Sequence, residues 1–95
     1  MNEYDKELNN SSEIFKALGH PTRICIVNKL TQTNLNVTQM QDCLGISQSS
    51  ISQHLSILKN KGIIEGQRIG SEVIYSLVDE RMRDIVKIFF TENTK

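Results

Sequence analysis

The stretch GISQSSISQHLSILKNKG, residues 45–62, constrains this chain more than any other. Its apolar residues Ile51, Leu55 and Leu58 recur at helical spacing, with Ile57 alongside. The remainder is odd for a helix. Five serines and two glutamines fill it, although the serine hydroxyl competes for backbone hydrogen bonds and makes serine a mediocre helix former. From Ser47 to Leu58 there is no Asp, Glu, Lys or Arg, in a chain with eleven basic and eleven acidic residues. An ordinary solvated helix face carries such charges. The segment therefore reads as a helix, capped by Ser47 and stopped by Gly62, that buries one side and offers hydroxyls and amides on the other.

The flanking sequence supplies the context. Tyr4, Leu8, Ser11/Ser12, Phe15 and Leu18 step by three or four, predicting a helix over 4–18 that Gly19 ends. Pro21 suits a first helical position, and Ile24, Val27 and Leu30, with Ile26 beside them, give an inward face to a helix over 21–31. A short helix over 38–44 follows, capped by Asn36 or Thr38, with Met40 and Leu44 inward and Gly45 as its stop. Ile46 and Ser47 alone separate it from the serine-rich helix, 48–61, which is the spacing of a helix-turn-helix. The period then changes: Ile64, Val73, Tyr75 and Leu77 flank a turn at 69–72, predicting a hairpin over 63–77. Asp79 opens a last helix over 79–91, whose stripe of Met82, Ile85, Val86 and Phe89 is widened by Ile88 and Phe90. Residues 91–95 are expected to fray.

This order is mainly α with a β-hairpin, the plan of a winged helix-turn-helix in a single domain over 1–95. The oddity of residues 45–62 then has a chemical explanation. A recognition helix must present donors and acceptors to base edges; Asn and Gln read adenine in bidentate fashion, and Ser and Thr pair with either kind of group. The expected DNA-binding residues are Ser47, Gln48, Ser49, Ser50, Ser52, Gln53 and His54 on that helix, and Arg68 and Ser71 on the hairpin. A cation at a hairpin tip is placed for a phosphate or a narrow minor groove; its plain alternative is to keep the hairpin soluble. His20 reads as a helix cap. His54 has two readings, local packing or a contact to phosphate or a neighbouring helix.

The segments FKALGHPTRICIVNKL, VTQMQDCLGISQSSISQHLSILKNKGII and RIGSEVIYSL resemble the ArsR-type (ArsR/SmtB) family of bacterial transcription regulators over about residues 13–78. The most specific piece is SQSSISQHLSILKNKGII, which is similar to that family's recognition helix. LNVTQ and the lack of metal motifs look closest to its PagR-like branch. The resemblance implies a homodimer on an operator of two half-sites, an imperfect inverted repeat, repressing transcription until an inducer acts. It implies a dimer interface of the first and last helices, here Leu8, Phe15, Met82, Ile85, Val86 and Phe89.

Most of the positions that hold metal in the family carry other residues here. Where one site has cysteines on the third helix, this chain has Asn36 and Thr38; where another has its ligands on the last helix, it has Asp79, Arg81, Glu92 and Lys95. A soft or borderline divalent ion wants thiolate or neutral imidazole, and two cations oppose it. No metal and no cofactor is therefore expected. A thiol switch using Cys25 and Cys43 is the alternative. Cys25, with Asn28 and Lys29 one turn on, is expected partly exposed, and Cys43, beside Leu44, half-buried.

Ninety-five residues suffice for one domain with a thin core, for which oligomerisation is a natural supplement. No run reaches the roughly 18 apolar residues of a membrane span, no basic-then-apolar leader opens the chain, and two cysteines eighteen positions apart suit a reducing cytoplasm. The zero formal net charge excludes a strongly basic nucleic-acid binder and keeps a winged-helix protein-interaction module as the reading from another class. An enzyme is not expected: there is no phosphate loop, no nucleophile with its base and no carboxylate pair, and GQRIG is a hairpin turn.

Overall fold

The computed structural model describes residues 2–90. Five helices and one hairpin follow in the order α1 (Glu3–Leu18), α2 (Pro21–Leu30), α3 (Val37–Leu44), α4 (Gln48–Asn60), β1 (Ile64–Ile69), β2 (Glu72–Leu77) and α5 (Arg81–Phe89). Local chemistry explains most boundaries. Asn2, His20, Asn36 and Ser47 cap the first four helices, each side chain accepting from a backbone N–H of the first turn. Asn36 and Gln39 form a reciprocal capping box, which settles the choice between Asn36 and Thr38. Gly45, at φ 69°, closes α3 in the left-handed region that lets α4 begin almost at once.

The core is a single cluster. Ile51, Leu55 and Leu58 of α4 are buried against Ile26, Val27 and Leu30 of α2, Met40 of α3, Ile63, Ile64 and Met82. The inward face of α2 differs from expectation, because Ile26 is buried and Ile24 only half-buried. With Ile24, Ile26, Val27 and Leu30 spread around a short helix, spacing alone cannot select the inward side.

Helix α5 begins two residues later than expected. Asp79 still caps it, but from one step back: its Oδ1 accepts from the Arg81 N–H at 3.1 Å and its carboxylate is gripped by the Arg81 guanidinium at 2.9 and 2.6 Å. The helix ends at Phe89, and the expected fraying of 91–95 lies outside the described residues.

The hairpin is antiparallel, in the register Ile64↔Leu77, Gly66↔Tyr75 and Arg68↔Val73. Gly66 is required there, since a Cβ would lie 2.9 Å from both Tyr75 Cε1 and Val73 Cγ1. Leu35 adds an isolated bridge on the other edge of β2: Tyr75 N–H donates to its carbonyl at 2.8 Å and its own N–H donates back at 3.2 Å. Asn36 also donates from Nδ2 to Glu72 Oε1. The wing is thereby fastened to the start of α3, a tie between residues far apart in sequence that no local periodicity announces.

Candidate nucleic-acid interface

Helix α4 has two sides of opposite character. Ile51, Leu55 and Leu58 point inward and are fully covered. Gln48, Ser49, Ser52 and Gln53 are exposed. Among the described residues this side carries no formal charge until Lys59, in the last turn. Three serines at the start are partly engaged with one another: Ser47 Oγ accepts the Ser50 N–H at 3.2 Å, donates to Ser50 Oγ at 3.0 Å and lies 3.2 Å from Ser49 Oγ. Ser50 is only half-exposed. Ser47 and Ser50 thus build the helix start, while Gln48, Ser49, Ser52 and Gln53 hold the exposed polar edge.

The wing shares this side of the molecule. Residues directly opposite in an antiparallel pair project to the same face, so Arg68 stands on the Val73–Tyr75 face of the hairpin. That face, with Ser71 and Glu72, lines a cleft of about 250 Å³ whose other walls are Asn36 to Thr38 of α3 and Gln48 of α4. Arg68 and Ser71 are both exposed. The wing tip, the start of α3 and the start of α4 therefore converge on one surface. Asn36 and Glu72 were not among the expected site residues; their pairing across the cleft is a long-range one.

His54 is placed differently from its neighbours. It is half-buried, and its Nδ1 lies 3.3 Å from Arg23 NH1 on α2. It also packs on the His20 ring, with centroids 4.5 Å apart, so local packing and a contact to a neighbouring helix are both present. Sequence gave no signal for Arg23 as its partner, 31 positions away. His20 caps α2 as expected, accepting the Thr22 N–H on Nδ1 at 3.0 Å.

On the opposite side, α1, α2 and α5 enclose an apolar groove of about 330 Å³, lined by Phe15, Leu18, Ile24, Val27, Ile85 and Phe89 among others. Phe15 is 64% exposed and Phe89 76%. Met82 and Val86, also expected at an interface, line the same groove from its floor and are buried, at 1% and 8% exposure. Both belong to the core cluster that α5 shares with α2. Leu8 and Phe15, with Phe89 and the half-buried Ile85, form the exposed stripe.

The thiols are both free. Cys25 is half-buried, but Cys43 is exposed rather than half-buried. The inward face of α3 centres on Val37, Met40 and Leu44, and at 100° per residue Cys43 lies about a quarter turn from that centre. Of the metal-position equivalents, Asp79 is committed to Arg81, whose hydrogen bonds hold its carboxyl below the ordinary range; Glu92 and Lys95 lie outside the described residues.

The helix pair, its exposed polar edge and the fastened wing define a winged helix-turn-helix protein. Residues 20–65 match the model of the bacterial regulatory protein, arsR family. The chain is 37% identical to the transcriptional repressor PagR of Bacillus anthracis over 82 residues, covering 85% of this chain and 82% of PagR. The crystal structure of PagR superposes with a TM-score of 0.81, over 93% of this chain and all of that one. That of the transcriptional repressor BigR from Xylella fastidiosa gives 0.83 at 29% identity, over 96% and 95%. The HTH-type transcriptional repressor SmtB of Mycobacterium tuberculosis is 40% identical over 79 residues, which span 83% of this chain and only 58% of SmtB. This chain belongs to the arsR family, whose members are transcriptional regulators and not enzymes.

Proposed function

We propose that the chain is a homodimeric, sequence-specific transcriptional repressor that acts without a metal at the family's known positions. Gln48, Ser49, Ser52 and Gln53 read base edges in the major groove, and Ser47 and Ser50 hold the helix start that faces the phosphates. Arg68 and Ser71 reach the flanking backbone. Two protomers join through the α1–α5 stripe of Leu8, Phe15, Ile85 and Phe89, which sets two reading helices about 34 Å apart on an imperfect inverted repeat. The observation that carries this reading is the uncharged, exposed edge of α4 opposite a fully buried one. A charge-neutral chain gains little from unspecific attraction to phosphate, so its selectivity must come from such an edge. Similarity to repressors named PagR, BigR and SmtB supports the direction of control.

Capture of genomic DNA fragments by the purified protein, reduced and then oxidised, tests the proposal. One recurring inverted repeat, bound by a species of dimer mass, is expected. Absence of any enriched sequence would reject it, and loss of the repeat on oxidation would transfer weight to a thiol switch at Cys25 and Cys43. Arg68→Ala is expected to weaken operator and unrelated duplex alike, by about threefold to tenfold, and to lower the slope of log affinity against log salt by about one per protomer. Equal slopes for variant and parent would remove Arg68 from the phosphate contacts.

A further inference from the structure

One cluster beneath the reading helix is left unexplained by the reading edge. Arg23, in the first turn of α2, donates from Nε to the Ala17 carbonyl at 2.5 Å, which fixes it to the end of α1. Its NH1 lies 3.3 Å from His54 Nδ1 on α4. A guanidinium only donates, so Nδ1 is the accepting nitrogen and Nε2 carries the proton. The His20 ring lies beside that of His54, with centroids 4.5 Å apart and planes tilted by 48°. The Thr22 N–H holds the His20 ring in turn. Three side chains thus join α1, the start of α2 and the reading helix.

We infer that His54 is a positioning residue: through Arg23 and His20 it sets the seat of the operator-reading helix on α1 and α2, and acid loosens that seat. The inference rests on the DNA-reading role proposed above. A proton on Nδ1 removes the acceptor and sets an imidazolium against a guanidinium. The groups that face His54 are of one sign. Arg23 comes from α2 and His20 from its cap, and α1 contributes only a carbonyl, already taken by Arg23. From α1, α3 and β1 no carboxylate pairs with it among the described residues. Burial first, then His20 and Arg23, holds the imidazole below its ordinary range. With the folded value depressed, the unfolded chain takes up the proton first. The seat is therefore at full strength above the unfolded value of about 6.5 and is lost as pH falls through the folded one.

The experiment compares operator affinity at pH 7.5 and pH 5.5 within each variant, so that the ratio is the readout. The parent is expected to lose more than about threefold on acidification, because a proton on Nδ1 removes the acceptor for Arg23. His54→Asn places an oxygen near where Nδ1 accepts and does not titrate; its ratio should stay within about twofold. Arg23→Gln, which keeps a donor and drops the cation, should bring the ratio below about threefold. Equal acid losses in parent and His54→Asn would overturn the inference. So would a gain in parent affinity at pH 5.5, the sign of an imidazolium touching phosphate directly. A proton NMR titration of His54 without DNA should show a value below 6.5, and an ordinary or raised value would also overturn it. That arm needs no duplex, so a chain that binds no DNA would sink the repressor reading while the seat is still judged.

Discussion

Phe89→Glu is expected to give a folded monomer whose operator affinity is at least about 100-fold below that of the parent. The protomer tolerates the change because the ring is 76% exposed and is not part of the buried core. The dimer does not. Burying a phenylalanine contributes roughly 1.5 to 3 kcal/mol, and a two-fold axis counts it twice. The substitution also places two carboxylates in an apolar seam lined by Phe15, Ile24 and Ile85, where an unpaired charge costs several kcal/mol more. A loss of about 4 kcal/mol already raises the dimer dissociation constant about a thousandfold. A monomer then holds one half-site without the second, and the linkage between two sites is worth about 10² to 10⁴ in affinity. Sedimentation at micromolar protein measures the first effect and duplex titration the second. Phe89→Leu, which keeps the surface apolar, should remain dimeric. If Phe89→Glu sediments as a dimer, the interface lies elsewhere.

The helices were legible wherever apolar spacing and caps agreed. In α4, Ser47, Gly45 and the Ile51–Leu55–Leu58 stripe all point to one answer, and the structure places all three residues at zero or 1% exposure. α2 was legible as a helix but not in its rotation, since its apolar residues surround it. At α5 the spacing was right but did not tell buried positions from exposed ones. Met82 and Val86 belong to the same stripe as Phe89, yet a helix face about 100° wide is divided between its own core and the outside, and spacing does not say where the division falls. Position 82 is decided by the core cluster it shares with Ile26 and Leu30 of α2, across the fold.

The interface was legible in part for a similar reason. The uncharged run 47–58 marked an exposed polar edge because composition is a local property. Which of those residues are free is a matter of partners. Ser50 is drawn into the cap by Ser47, and His54 is claimed by Arg23 from another helix. The tie of Asn36 to Glu72, and the Leu35–Tyr75 bridge, orient the wing through pairs that sequence spacing does not connect.

The exposed edge yields the second large effect. Ser49→Ala with Gln53→Ala is expected to lower operator affinity by about thirtyfold or more while affinity for a scrambled duplex changes by less than about threefold. A bidentate amide–adenine pair is worth roughly 1 to 3 kcal/mol of discrimination, and a dimer presents Gln53 twice. Neither side chain carries charge, so the phosphate contacts that give unspecific affinity, and their salt slope, are untouched. Stability is not the cause of the loss. Both residues are exposed, neither Ser47 nor the buried stripe is altered, and alanine is the better helix former at both positions. The melting temperature should therefore equal or exceed that of the parent. Titration of both duplexes at one fixed salt concentration separates the effects. An unchanged ratio of operator to scrambled affinity would mean that selectivity resides in the wing or in the bending of DNA, because the helix edge would then be doing nothing that two methyl groups cannot do.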